Sequence, residues 1–534
     1  MGRRPVRPPV SRSRAFGWGL AVWWTAAVAA VSAGGATAQT VARVAEGRVA
    51  GRAEADGVSA FLGLPFAAPP VGDRRWRSPS PALRWTGVRA ADRYAASCPQ
   101  GITPNGFGPW TSEYVVQPPV AEDCLYLNVW AKAPQARKRP VLVWIHGGAF
   151  MSGSGSVPIY DGARLAAKDL VVVTVNYRLG ALGFLAHPDL TAEGGTSGDY
   201  GLMDQIAALK WVRRNIAAFG GDPRQVTIAG QSAGALSVLD LMEAAEARGL
   251  FARAIAESGA GLTLPTPPLA AAEAQGRAFA AAKGVRTIAE LRAMPVDELL
   301  APTRAPVAGS VPGLLFLPIR DGRVLPRRPG RLADLPFLTG LNADEGSGFN
   351  PAYGRVTAAG FQDQAMTQFG PAGPEILRLY PADTDAEARR SALNLARDRG
   401  IFATLLWLEH RAVQARTPAY AYLYDHPEPG PEADRFGAFH SAEIPYVFRT
   451  LDAAPRRPFT DQDQALSGLI SSYWVNFIRS GDPNGQALPN WSPFKPGGRA
   501  VMRLGDRTGP QDLDAARFEL LRAYSRRGGL VSLF

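Results

Sequence analysis

The sequence is poor in the residues that build metal and redox centres. Its 534 residues include two cysteines and five histidines. Cys98 and Cys124 are too few for a cysteine-ligated zinc site, and the histidines are scattered without ligand spacing. There is no P-loop, no H-E-x-x-H and no convincing G-x-G-x-x-G, so no cofactor and no metal are expected. Charged residues make up 20% and apolar residues 46%, which excludes wholesale disorder and a multi-spanning membrane protein. No internal repeat and no low-complexity linker divides the chain.

Acidic residues are missing altogether from the first 38 positions. That segment carries Arg3, Arg4, Arg7, Arg12 and Arg14, then an apolar run from Ala15 to about Ala33, then Ala36-Thr37-Ala38. A basic start, an apolar middle and a small-x-small end are the marks of a secretory signal peptide. Cleavage after Ala38 takes the net charge from +11 to +6 and leaves residues 39–534 as one domain, secreted or periplasmic. So modest a charge on so long a chain removes most of the case for a nucleic-acid partner. Gly17, Gly19, Gly34, Gly35 and the many alanines weaken the run as a bilayer span, so no stable membrane insertion is expected after cleavage. The segment has no cysteine, which excludes a lipoprotein anchor, while Arg3-Arg4 leaves the export route open. In an exported protein, two cysteines at this short separation suggest one disulfide, Cys98–Cys124.

Residues 41–62 alternate polar and apolar positions with Gly47, Gly51 and Gly57 at turns, the pattern of an early antiparallel hairpin region. The centre of the chain changes character. Residues 141–145 and 170–175 are continuous apolar runs rich in β-branched side chains, suited to strands buried on both faces. Leu202, Ile206, Leu209, Val212, Ile216 and Phe219 trace one helical face. A strand over 226–228 and a helix over 235–242 follow. Residues 264–335 read as helical cover inserted between core strands, which resume at 337–341, 419–424 and 500–504. Such alternation predicts an α/β fold with a mostly parallel sheet and helices on both faces.

Gly230-Gln231-Ser232-Ala233-Gly234 sits between the strand at 226–228 and the helix at 235–242. A nucleophile on so tight a turn has a strained backbone, small neighbours let the turn close, and the helix N-terminus adds positive potential. His146-Gly147-Gly148-Ala149 ends an upstream strand, where an oxyanion loop would supply backbone N–H groups. A serine hydroxyl needs a base, and the base needs an orienting acid, in the order Ser, acid, His. His410 falls in a helix predicted over 402–415. His426 and His440 both remain in contention, as do Asp344 and Glu345 for the acid; spacing alone does not choose.

Longer motifs do. The stretch from Phe219-Gly220-Gly221 through Gly230-Gln231-Ser232-Ala233-Gly234 resembles the serine signature of the type-B carboxylesterase/lipase family, which includes the cholinesterases. Glu122-Asp123-Cys124-Leu125-Tyr126-Leu127-Asn128-Val129 resembles its second signature, departing at Lys132. Asn176-Tyr177-Arg178-Leu179-Gly180 and Gly198-Asp199-Tyr200-Gly201-Leu202-Met203-Asp204-Gln205 also match, so the resemblance covers nearly all of the chain after Val41. It implies the α/β-hydrolase fold and a serine carboxylesterase acting on small-molecule esters. Ser232 would be the nucleophile, Glu345 the acid and His440 the base. The N–H groups of Gly148, Ala149 and Ala233 would form the oxyanion hole. Ser258 would support the triad, and Cys98–Cys124 would match the family's first disulfide. Two departures stand out: Gln231 where many relatives have Glu, and Gly-Gly-Ala at 147–149 where Gly-Gly-Gly is common. The rival readings are a lipase acting at a lipid interface and a non-catalytic, cholinesterase-like binding protein.

Overall fold

A computed structural model describes residue 2 and residues 40–132, 138–264, 266–302 and 316–533. The expected signal segment 1–38 therefore lies outside the described residues, Gly2 apart. Gln39–Phe534 forms one compact unit.

The frame of that unit is a 13-stranded sheet. Its strands are β1 (Val41–Val44), β2 (Gly47–Ala53), β3 (Val58–Pro65), β4 (Val88–Ala91), β5 (Tyr126–Lys132), β6 (Arg139–Ile145) and β7 (Val171–Val175). They continue with β8 (Gly221–Gln231), β9 (Arg253–Glu257), β10 (Phe337–Asn342), β11 (Ala419–Tyr424), β12 (Ala500–Leu504) and β13 (Gly509–Asp512). The spatial order is β1-β2-β3-β5-β7-β6-β8-β9-β10-β11-β12-β13, with β4 beside β2. Every pair from β7 to β12 is parallel, while both ends of the sheet are antiparallel apart from β4, which runs parallel to β2. The hairpin region read from residues 41–62 is the antiparallel end.

The apolar runs decide which strands sit in the middle. All five residues of β7 are buried, as are residues 141–145 of β6, so both faces of these strands must be covered. Part of that cover comes from α1 (Tyr200–Asn215), α2 (Ala233–Glu243) and, late in the chain, α7 (Asp461–Ser480), which pack on β8; α2 and α7 also pack on β6. Residues 264–335 do supply helices between β9 and β10: α3 (Leu269–Ala282), α4 (Ile288–Ala293) and α5 (Val296–Leu300). The helix read over 402–415 is longer than expected. It is α6 (Asp385–Gln414), and it begins where Thr384 and Glu387 form a capping box. Among the described residues, no helix is long and apolar enough to cross a membrane.

The strand order explains where a site can form. The chain leaves β6 towards β7 on one side and returns to β8 on the other, so the connections diverge at the carboxyl end of β6. In open α/β sheets that divergence leaves a crevice. The loops after β6, β8, β9 and β10 all open at that end.

Candidate active site

Ser232 follows β8 and caps α2. Its backbone lies at φ 58°, ψ −124°, a conformation that L-residues rarely adopt. Two neighbours hold it there: the Ser232 N–H donates to the Glu257 carbonyl at 2.9 Å, and the Ser232 carbonyl accepts from Leu236 N–H at 3.0 Å. The turn closes only because Gly234 has no side chain; a Cβ there would lie 2.0 Å from the Ile145 carbonyl oxygen. The small residues read from the sequence therefore serve packing of the turn against β6.

The loop after β6 runs beside it. Gly148 has φ 104° and its absent Cβ would fall 2.2 Å from the Ser152 carbonyl oxygen, so glycine is required there on two counts. Ala149 and Phe150 also have positive φ, 56° and 60°. This strained run leaves N–H groups without acceptors: among the described residues, none pairs with the N–H of Gly148, Ala149 or Ala233. His146 buttresses the loop. Its ring stacks on Tyr177 at 4.4 Å, and its Nδ1 lies 2.8 Å from the Gly147 carbonyl, which can only accept, so the proton is on Nδ1. Burial pushes His146 down to about 4, and the ring is neutral at pH 7.

The candidates that spacing left open have different partners. His440 Nδ1 contacts Glu345 Oε2 in a short hydrogen bond. The other Glu345 oxygen accepts from Ser258 Oγ at 2.6 Å and from the Asn342 N–H at 2.8 Å. Asp344 turns elsewhere, accepting from Ala438 N–H at 3.0 Å and Tyr353 Oη at 3.3 Å. His426 is held between Asp463 and Asp506, at 2.9 and 2.7 Å. His410 is exposed on α6. Ser232 and His440 line one cavity together with Gly148 and Ala149.

Other side chains and loops meet His440 and Glu345. Gln231 Nε2 lies 3.0 Å from His440 Nε2. Trp110 Nε1 donates to the His440 carbonyl at 3.0 Å. Trp110 belongs to the loop closed by the disulfide between Cys98 and Cys124. Arg457, buried on α7's approach, clamps the same loop through the Pro109 carbonyl at 2.6 Å and Glu113 at 3.0 Å. Behind Glu345 lie two further buried carboxylates. Glu443 accepts from Asn342 Nδ2 at 2.6 Å, and burial together with the Glu345 charge pushes it up to about 7. Glu257 is also raised by burial, despite a 2.7 Å hydrogen bond from Trp474 Nε1.

Two cavities meet at Ser232, Ala149 and Phe349. One, of about 410 Å³, is walled by the disulfide loop and His440. The other, of about 510 Å³, lies against Leu236, Leu262, Leu341 and α6. Both are of small-molecule size. No cluster of metal-ligating side chains occurs among the described residues.

Known proteins show the same plan. The profile of the carboxylesterase family matches residues 38–520. The chain is 37% identical to fumonisin B1 esterase from Sphingopyxis macrogoltabida, over 85% of this chain and 84% of that one. It is 36% identical to para-nitrobenzyl esterase from Bacillus subtilis, over 86% and 93%, and 35% identical to cholinesterase from Mus musculus, over 80% and 76%. A solved structure of a PNB esterase superimposes with a TM-score of 0.74 at 32% identity, covering 90% of this chain and 99% of that one. With that likeness extending over sequence and fold alike, the chain belongs to the carboxylesterase family and is a carboxylic ester hydrolase of the α/β-hydrolase fold.

Proposed function

We propose that this protein hydrolyses small carboxylic esters by acyl transfer through Ser232, with His440 as base and then acid and Glu345 as its orienting carboxylate. The observation that carries this reading is the contact of Glu345 with His440 beside a serine on a strained turn. Because Glu345 accepts from Nδ1, the ring keeps its other nitrogen, Nε2, free of a proton and able to take one from Ser232. The hydroxyl attacks the ester carbonyl, and its proton passes to Nε2. The carbonyl oxygen becomes an oxyanion, and the N–H groups of Gly148, Ala149 and Ala233 have no other acceptor among the described residues. The imidazolium then gives its proton to the departing alkoxide. Water attacks the acyl-enzyme by the same route and returns Ser232 and the acid product. The scheme uses protein groups and water alone.

Ser258 supports the acid by donating to it, and its own backbone is held by the Gly340 carbonyl at 2.8 Å. Residues 1–38 act as the export signal in this reading, and residues 39–534 work outside the cytoplasm. The test is steady-state hydrolysis of p-nitrophenyl esters of increasing acyl length. A soluble-ester hydrolase saturates with short esters below their solubility limit; activity that rises only above that limit overturns this reading in favour of a lipase.

A further inference from the structure

The two cavities at Ser232 have different parts to play in acyl transfer. The leaving alkoxide takes its proton from the imidazolium, so the alcohol half of an ester belongs on the side where His440 lies. His440 lines the cavity of about 410 Å³ under the disulfide loop and does not line the other. The acyl half is left with the cavity of about 510 Å³.

That second cavity is lined by an arginine, Arg399, that has no ion-pair partner among the described residues. Its charged lining side chains are Glu345, Arg397 and Arg399, the two arginines coming from α6. Glu345 is already engaged by His440, Ser258 and the Asn342 N–H. Arg397 has carboxylates near it: burial raises Asp344, Asp398 and Asp425, and the Arg397 charge offsets part of that rise in each. Arg399 has no such neighbour. Its guanidinium lies 5.8 Å from the Phe369 ring, and no ion pair or hydrogen-bond acceptor meets it among the described residues. The Nε of each arginine is buried without an acceptor. Fully buried guanidiniums among the described residues meet acceptors: Arg178 meets Asp204 at 2.7 Å, Arg457 meets Glu113 at 3.0 Å, and Arg411, without an ion pair, donates to the Leu335 carbonyl at 2.7 Å. Arg399 is half-buried, so its guanidinium is partly withdrawn from water and gains from a counter-ion, and its planar fork matches a carboxylate in a two-pronged hydrogen bond.

We propose that Arg399, with Arg397 beside it, binds a carboxylate carried on the acyl half of the substrate, so that the preferred esters are monoesters of dicarboxylic or polycarboxylic acids. The ester carbonyl sits at Ser232, the alcohol occupies the His440 side, and the distal carboxylate reaches α6 across the apolar wall of Leu236, Leu262 and Leu341. This assignment rests on ester hydrolysis at Ser232 as set out above. It adds a specificity that the triad itself does not dictate.

The experiment uses the full-length purified protein and monobenzyl esters of glutaric, adipic and pimelic acids, each paired with its uncharged primary-amide counterpart. Release of benzyl alcohol gives kcat/KM. At one or more chain lengths the acid is preferred over the amide by about tenfold or more, the worth of a hydrogen bond to a charged group. Arg399→Gln abolishes the preference while leaving the amide's kcat/KM within about twofold, which also reports an intact fold. Equal hydrolysis of acid and amide at every length overturns this assignment alone, as does an Arg399→Gln variant that keeps the preference or loses both substrates equally. Hydrolysis of neither member of any pair overturns the Ser232 reading with it.

Discussion

Glu345→Gln tests the role of the acid with little change of shape. The carboxylate presents two oxygens to different partners. Oε1 accepts from the Asn342 main-chain N–H at 2.8 Å and from Ser258 Oγ at 2.6 Å; Oε2 faces His440 Nδ1. A main-chain N–H can only donate, so the amide oxygen of glutamine must take the Oε1 position. Its NH₂ then points at His440 Nδ1, which has to become an acceptor. The ring proton moves to Nε2, and the nitrogen facing the serine can no longer take a proton. Rotating the amide instead sets NH₂ against the Asn342 N–H, an unmatched buried contact costing about 1–3 kcal/mol. A wrong tautomer in such a triad lowers kcat by about four powers of ten, close to 5.5 kcal/mol of transition-state stabilisation. The assay is kcat and KM for p-nitrophenyl butyrate, with thermal unfolding as a check on the fold. The expected result is a collapse of kcat with KM little changed. A folded Glu345→Gln enzyme within tenfold of the parent refutes the reasoning.

Three further perturbations follow from the same geometry. Gln231→Glu puts a negative charge about 3 Å from His440 Nε2 and favours the imidazolium, so the acid limb of the kcat/KM profile moves up by about one to three pH units; an unmoved limb contradicts the contact. Glu443 is held protonated by burial up to about 7. The folded state therefore binds more protons than the unfolded one between the ordinary carboxyl value and that point, and stability falls as pH rises through about 7. Glu443→Gln should flatten that fall, measured as the difference in Tm between pH 5 and pH 8; an unchanged difference refutes it. Cys98→Ser with Cys124→Ser opens a loop of sequence separation 26 and should cost roughly 3–4 kcal/mol in urea unfolding. Because Trp110 on that loop holds the His440 carbonyl, kcat should fall as well.

What the sequence made legible was what has a local pattern. β6 and β7 were readable because continuous β-branched runs have few other uses, and β11 and β12 were placed to the residue. The Ser232 turn was readable because strand, small residues and helix occur together. The start of α6 was missed by seventeen residues: its first half is too polar for an apolar stripe, although Thr384 and Glu387 carried a capping box. Choosing His440 over His426 needed the family resemblance, since the two stand fourteen residues apart and pairing with Glu345 is a long-range event. The site's supporting groups leave no local trace. Trp110 sits in an irregular loop, the Gln231 side chain meets His440 across the fold, and Arg399 is one of many arginines. The lack of a counter-ion around Arg399 is a property of packing, which no spacing encodes.

The central claim is that Ser232 is the nucleophile. Purified protein treated with a fluorophosphonate should gain one adduct, located on Ser232 by peptide mass spectrometry, with loss of esterase activity in step with labelling. Ser232→Ala should remain folded, inactive and unlabelled. An intact protein that takes no label, or a Ser232→Ala variant that labels and hydrolyses as well as the parent, contradicts the account.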